Sequence, residues 1–178
     1  SVILVGPGGV GTSALILGLQ AMKDLDTSTF DIVSKRLFWL KTDELFSAGN
    51  QDAVSKGFQG VLDILYRTPD SILIIEDARD FIDAARNMGC SHFINGLNSC
   101  VKNGKTQVIF ECRDADLDVV LNSHSDMKQC YTLMDVAEPT GNDLKEIVFS
   151  SSARLEKHHG IRISEEAVLS AIELTNKY

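Results

Sequence analysis

Glu76 and Asp77 stand directly after four apolar residues, Ile72-Leu73-Ile74-Ile75. Two carboxylates at the end of a buried strand can divide the work of phosphoryl transfer. One holds Mg²⁺ through water, and the other orients or deprotonates the attacking water. Earlier in the chain, Gly6-Pro7-Gly8-Gly9-Val10-Gly11-Thr12-Ser13 supplies the complementary chemistry. Glycines let the backbone curl until successive N–H groups converge on an anion. A following helix adds the partial positive charge of its N-terminus. The spacing follows G-x-x-x-x-G-K-S/T except at one position, where Thr12 stands in place of lysine. Ser13 takes the hydroxyl position that meets Mg²⁺, with Glu76 as the carboxylate on the metal side. The plainer alternatives are a tight glycine turn, and charges that simply follow a strand into solvent. Their occurrence together favours the phosphate reading.

Such groups need a scaffold that brings strand ends together. Val2-Ile3-Leu4-Val5 precedes the glycine loop as a short apolar run, and a helical pattern from Ser13 to about Lys23 follows it, with Leu15, Leu19 and Met22 on one face. Asp24 to Ser34 reads as a connection, and Arg36–Leu40 as a second strand. Val54, Phe58, Val61, Leu62 and Leu65 recur at helical spacing, which assigns Phe58 to the core. The unbroken apolar run 72–75 is typical of a strand covered on both faces. Helices are expected over Asp80–Asn87, Ser91–Lys102 and Asp114–Asn122, and strands over Gln107–Phe110 and Tyr131–Val136, with a turn at Asn103-Gly104-Lys105. Thr140 and Asp143 have the spacing of a capping box for a helix bearing Leu144, Ile147, Val148 and Leu155. Ser164 caps a last helix expected to run to Lys177. Alternating strands and helices predict an α/β fold: a doubly wound, mainly parallel five-stranded sheet whose ligand lies beyond the carboxyl ends of the strands. That rule gathers the glycine loop, Glu76-Asp77 and Glu111-Cys112-Arg113.

The 178 residues suffice for a sizeable core. A formal net charge of −8 without a basic cluster argues against a nucleic-acid surface, and no apolar run reaches the ~18 residues of a membrane span. The chain begins at Ser1 directly in a strand and carries no leader, so it reads as an excised segment. The four cysteines, 90, 100, 112 and 130, form no C-x-x-C pair, and are expected to be reduced and mostly buried. That suits a cytoplasmic or organellar interior. His158-His159 lacks a third ligand nearby and reads as structural.

The chain resembles the first nucleotide-binding module of Clp-type AAA+ unfoldases and disaggregases. The likeness covers nearly its whole length: Val2–Gly11, Ile72–Asp77, Glu138-Pro139-Thr140, Lys157-His158-His159-Gly160-Ile161-Arg162-Ile163, Glu165-Glu166-Ala167 and Asn176-Lys177-Tyr178. It implies the AAA+ P-loop NTPase sheet, a large subdomain over 1–140, and helices over 141–178 that lead into a truncated lid. It further implies ATP or ADP with Mg²⁺ as ligand, assembly with other AAA+ subunits in a hexamer, and protein clients or adaptors as partners.

Matched residue by residue, the resemblance also exposes departures. The family's loop lysine is Thr12, and its Asp-Glu pair is reversed as Glu76-Asp77. The threonine that senses the γ-phosphate falls at Cys112 or Arg113. The two arginines that reach a neighbouring subunit fall at Gln129 and Cys130, with Lys128 as a substitute finger. The pore-loop stretch Gly49-Asn50-Gln51-Asp52 has no aromatic. The leading expectation is therefore a degenerate module that binds nucleotide weakly and hydrolyses little. A working ATPase with divergent catalytic residues is the alternative, and a pure interaction domain the third. Restoring the lysine by Thr12→Lys is expected to strengthen nucleotide binding by about 1–3 kcal/mol.

Overall fold

The computed structural model describes residues 1–24, 34–47, 49–104 and 106–175. Most of the expected connection between Asp24 and Ser34 lies outside the described residues, as do Lys105 of the expected turn and the end of the last helix. The chain forms two compact units, Ser1–Ala137 and Glu138–Tyr178.

The first unit is built on five parallel strands: β1 (Val2–Gly6), β2 (Arg36–Trp39), β3 (Ser71–Ile75), β4 (Thr106–Arg113) and β5 (Thr132–Asp135). Their order is β2-β3-β4-β1-β5, so every carboxyl end points the same way. All five residues of β3 are buried, as a strand covered on both faces requires. Alternation divides its side chains. Leu73 and Ile75 join a large core cluster on one face, while Ile72 and Ile74 join a smaller one on the other.

The large cluster is covered by α3 (Gln51–Arg67), α4 (Ala78–Asn87) and α5 (His92–Lys102). Val54, Phe58, Leu62 and Leu65 form the buried stripe of α3, as their spacing predicts. Phe58 stacks on Phe93 with ring centroids 3.9 Å apart. Asn50 caps α3, its side chain accepting from the Ala53 N–H at 2.9 Å. Cys90, Cys100 and Cys112 are buried free thiols, and Cys130 is half-buried.

The smaller cluster is covered by α1 (Thr12–Asp24), through Ile16. The stripe expected on this helix is displaced: Leu15 is 55 % exposed, Met22 is 43 % exposed, and Ile16 is 3 % exposed. Three further segments depart from expectation. A short helix, α2 (Thr42–Phe46), precedes α3. The segment 114–122 breaks into a 3₁₀ turn, Asp114–Asp116, and α6 (Leu117–Leu121). One more turn of helix, α7 (Met127–Cys130), buries Met127 before β5.

The second unit contains α8 (Gly141–His159) and α9 (Glu165–Thr175). Thr140 occupies the N-cap of α8, but its side chain makes no capping bond, so the expected capping box is not formed. Ile147 and Leu155 of α8 are 52 % and 48 % exposed. Gly160 ends the helix in the left-handed conformation, at φ 67°. Ser164 caps α9 as expected, accepting from the Ala167 N–H at 3.2 Å. His158 and His159 meet edge to face in the last turn of α8. Among the described residues no helix is long and apolar enough to cross a membrane.

Candidate nucleotide site

The glycine loop leaves β1 at Gly6, whose close surroundings exclude any side chain. A Cβ there would lie 2.8 Å from the Val136 carbonyl oxygen and 2.7 Å from Val10 Cγ1. Gly9 and Gly11 hold φ values of 87° and 103°, which L side chains rarely adopt. The Val10 N–H closes a turn on the Pro7 carbonyl at 3.1 Å. The Leu15 N–H donates to the Gly11 carbonyl at 3.0 Å and starts α1. The helix carries no acidic residue in its first turn, so its positive end is not neutralised locally.

A cavity of about 330 Å³ opens between this loop and the ends of β3 and β4. The loop contributes Gly6, Pro7, Gly8, Gly9, Thr12 and Ser13 to its wall. Opposite stand Glu76, Asp77, Glu111, Cys112 and Arg113. Gly8 and Gly9 have open space where a side chain would be, which is the room an anion needs to approach the backbone.

The two acids after β3 are placed differently. Glu76 is exposed on the cavity wall. Asp77 sits in the left-handed region at φ 52° as N-cap of α4, accepting from the Asp80 N–H at 3.1 Å. Its other oxygen lies 3.6 Å from the guanidinium of Arg113. Arg113 also reaches Asp116 at 3.1 Å, so its charge is shared between two carboxylates. Burial, with the negative charges of Asp116 and Asp77, pushes the Cys112 thiol up to about 11. A neutral thiol of that kind is a poor donor and a poor nucleophile. Lys128 and Gln129 are exposed on α7, and neither they nor Cys130 line the cavity.

Glu111 stands at the site, as the strand-end rule expects, but its bonds to the loop hydroxyls were not foreseen from the sequence. It is 8 % exposed, and its Oε2 accepts two hydrogen bonds, from Thr12 Oγ1 at 3.0 Å and Ser13 Oγ at 2.8 Å. Its Oε1 is buried without a hydrogen-bond partner among the described residues. The strand register explains the placement. Glu111 pairs with Leu4, whose side chain packs in the cluster under α1. Partners directly opposite share a face of the sheet, so Glu111 points toward the start of α1. The available signal was parity with Gln107 and Ile109, visible only if β4 continues past Phe110.

The loop therefore fits an anion, through backbone and helix dipole. Beneath it, Thr12 and Ser13 give their hydroxyl protons to Glu111, so in this arrangement neither donates to a phosphate oxygen, while the oxygen lone pairs of Ser13 stay open to a cation.

No protein-family profile matches the chain. Its sequence is 22% identical over 177 residues to the chaperone protein ClpB of Helicobacter hepaticus, spanning 99% of this chain and 21% of that protein. It is 25% identical over 178 residues to the ATP-dependent Clp protease ATP-binding subunit ClpC of Staphylococcus saprophyticus, again 99% of this chain and 22% of the relative. A closed-state reconstruction of Hsp104 with ATPγS and FITC-casein superposes on all of this chain with a TM-score of 0.86, at 23% identity and 30% of its own length. The chain is similar from end to end to the Clp-type ATPases. Its sheet and helices are those of the AAA+ α/β fold. The chain spans about a fifth of the length of these curated Clp relatives. ClpC is named as an ATP-binding subunit and Hsp104 was solved with a nucleotide analogue. In this chain, Thr12 and Ser13 are engaged by Glu111.

Proposed function

We propose that this chain is a Clp-type AAA+ module of a chaperone-like protein that holds ATP or ADP weakly, hydrolyses little, and serves as an assembly or regulatory scaffold. One observation carries this reading: Thr12 stands in the lysine position, and its hydroxyl is spent on Glu111. A lysine charge ~4 Å from a phosphate oxygen is worth about 4 kcal/mol at an effective dielectric of 20, and a hydroxyl supplies no such charge. Arginine fingers add roughly 10³–10⁵ in rate, and Gln129 and Cys130 have no charge to contribute. The loop's backbone donors remain, as do the oxygen lone pairs of Ser13, whose proton goes to Glu111, and these support residual binding.

In this reading residues 1–140 are the large subdomain and 141–178 the beginning of a lid. Other AAA+ subunits and protein clients or adaptors are its partners, in the cytoplasm or an organellar interior. The module does not grip clients through residues 49–52. That stretch begins a helix, with Asn50 capping it and Gln51 Nε2 donating to the Gly89 carbonyl at 3.2 Å. The nearby aromatics Phe46, Phe58 and Phe93 pack on one another.

Equilibrium binding of ADP and ATP with and without Mg²⁺, alongside steady-state phosphate release, tests the reading. Weak binding with little preference for ATP, and release near background, are expected. Tight ATP-selective binding, or turnover of ~1 per second or faster, overturns it. The exposed position of Glu76 on the cavity wall favours the alternative of a working ATPase, with Lys128 supplied across a subunit boundary, and phosphate release decides between the two.

A further inference from the structure

We infer that Glu111 is an internal competitor for the phosphate site, the residue that sets how weakly this chain holds nucleotide. The inference rests on the weak-binding reading above and names its cause. Three observations converge on it. Glu111 is nine-tenths buried directly beneath the glycine loop, on the same face of the sheet as the start of α1. One of its oxygens takes both hydroxyls that follow the last loop glycine. The other is buried with no partner among the described residues, yet the residue lines the cavity. A buried, partly satisfied carboxylate keeps much of its field, because little solvent screens it.

A phosphate entering the loop meets two obstacles. Its charge is opposed by that of Glu111 at short range, and the hydroxyl protons that would be donated to it must first leave Glu111. The same geometry changes what Thr12→Lys does. A lysine at position 12 starts next to Glu111, so its ammonium pairs with the carboxylate already present rather than with an incoming phosphate. Restoring the lysine alone therefore leaves the site neutralised from within.

The test measures binding of Mg·ATP, Mg·ADP and inorganic triphosphate to the purified protein and four variants: Glu111→Gln, Glu111→Ala, Thr12→Lys, and Thr12→Lys with Glu111→Ala. Glutamine keeps the shape and both accepted hydrogen bonds while removing the charge. Circular dichroism and thermal melting confirm that each variant is folded. Glu111→Gln is expected to bind Mg·ATP at least tenfold more tightly than the parent, and Glu111→Ala at least as tightly again. Thr12→Lys alone stays within about threefold of the parent, and the double variant exceeds the product of the two single effects. A folded Glu111→Gln protein with unchanged affinity, or a tenfold gain from Thr12→Lys alone, overturns the inference while leaving the weak-binding reading intact. Tight binding by the parent overturns that reading, and the Gln-to-parent ratio still judges Glu111. Absence of binding in all five proteins overturns both.

Discussion

The two walls of the cavity are made of different material. The loop from Gly6 to Ser13 presents backbone, shaped by glycines. The ends of β3 and β4 present side chains, and apart from the exposed Glu76 the charged ones are engaged. Asp77 caps a helix and faces Arg113, Arg113 is shared with Asp116, and Glu111 holds Thr12 and Ser13. The contrast teaches that a glycine loop and a catalytic apparatus answer to separate demands. Gly6 admits no Cβ because the Val136 carbonyl lies against it, whether or not anything binds. The fold itself therefore calls for part of the phosphate signature. Hydrolysis calls for the charges opposite, and there Asp77, Arg113 and Asp116 are tied to one another and Glu111 to the loop, which leaves Glu76 exposed.

The largest effect is expected at the core that holds the second wall in place. Phe110 is fully buried beside Glu111 and meets Tyr131 at 5.2 Å and Phe81 at 6.4 Å between ring centroids. Phe110→Ala should destabilise by about 3–5 kcal/mol, read as a fall in melting midpoint on the order of 10 °C. A loss below about 1 kcal/mol would show that the strand end is held by something else. Gly6→Ala comes next, at about 1–3 kcal/mol from overpacking against a backbone carbonyl. Full stability together with lost nucleotide binding would break the comparison, since the glycine would then serve the ligand and not the fold.

Cys112 sharpens the picture of the second wall through pH. Burial raises its thiol to about 11 from an ordinary value of 9.0. The raised value favours the folded state while the thiol stays protonated. Its contribution is thus complete below pH 9 and is lost as pH climbs toward about 11. Alkylation by iodoacetamide should be slow at pH 8 and accelerate through that window in the folded protein; rapid labelling at neutral pH would contradict the assignment. The smallest effect is expected for Arg113→Ala. Arg113 is 58 % exposed, and ion pairs of that kind contribute about 0–1 kcal/mol. A larger loss in chemical denaturation would mean that the charges of this wall act as a network.

Much of this was readable from local chemistry. Ile72–Ile75 announces a strand covered on both faces because four consecutive apolar side chains must point both ways. The spacing of Val54, Phe58 and Leu62 marks the buried stripe of α3, and Ser164 marks the start of α9 through a hydroxyl three residues from the N–H it accepts from. Each signal acts within a turn or two of chain. Where they failed, a neighbour outside that range intervened. Leu15 and Met22 look like the buried face of α1, but the sheet beneath accepts Ile16. Thr140 has the type and spacing of a capping residue, yet its hydroxyl makes no such bond.

The site divides along the same line. Composition and order alone establish a parallel α/β sheet and a loop able to cradle an anion, because glycine freedom, helix dipole and strand alternation are properties of short segments. The bond between Thr12 and Glu111 joins residues 99 apart in sequence. It exists because β4 runs beside β1 in a register that sets Glu111 opposite Leu4 and on the face of α1. A shift of one residue would turn that carboxylate to the other face of the sheet, and its parity with Gln107 and Ile109 tells the two apart only once β4 is known to run on to Arg113.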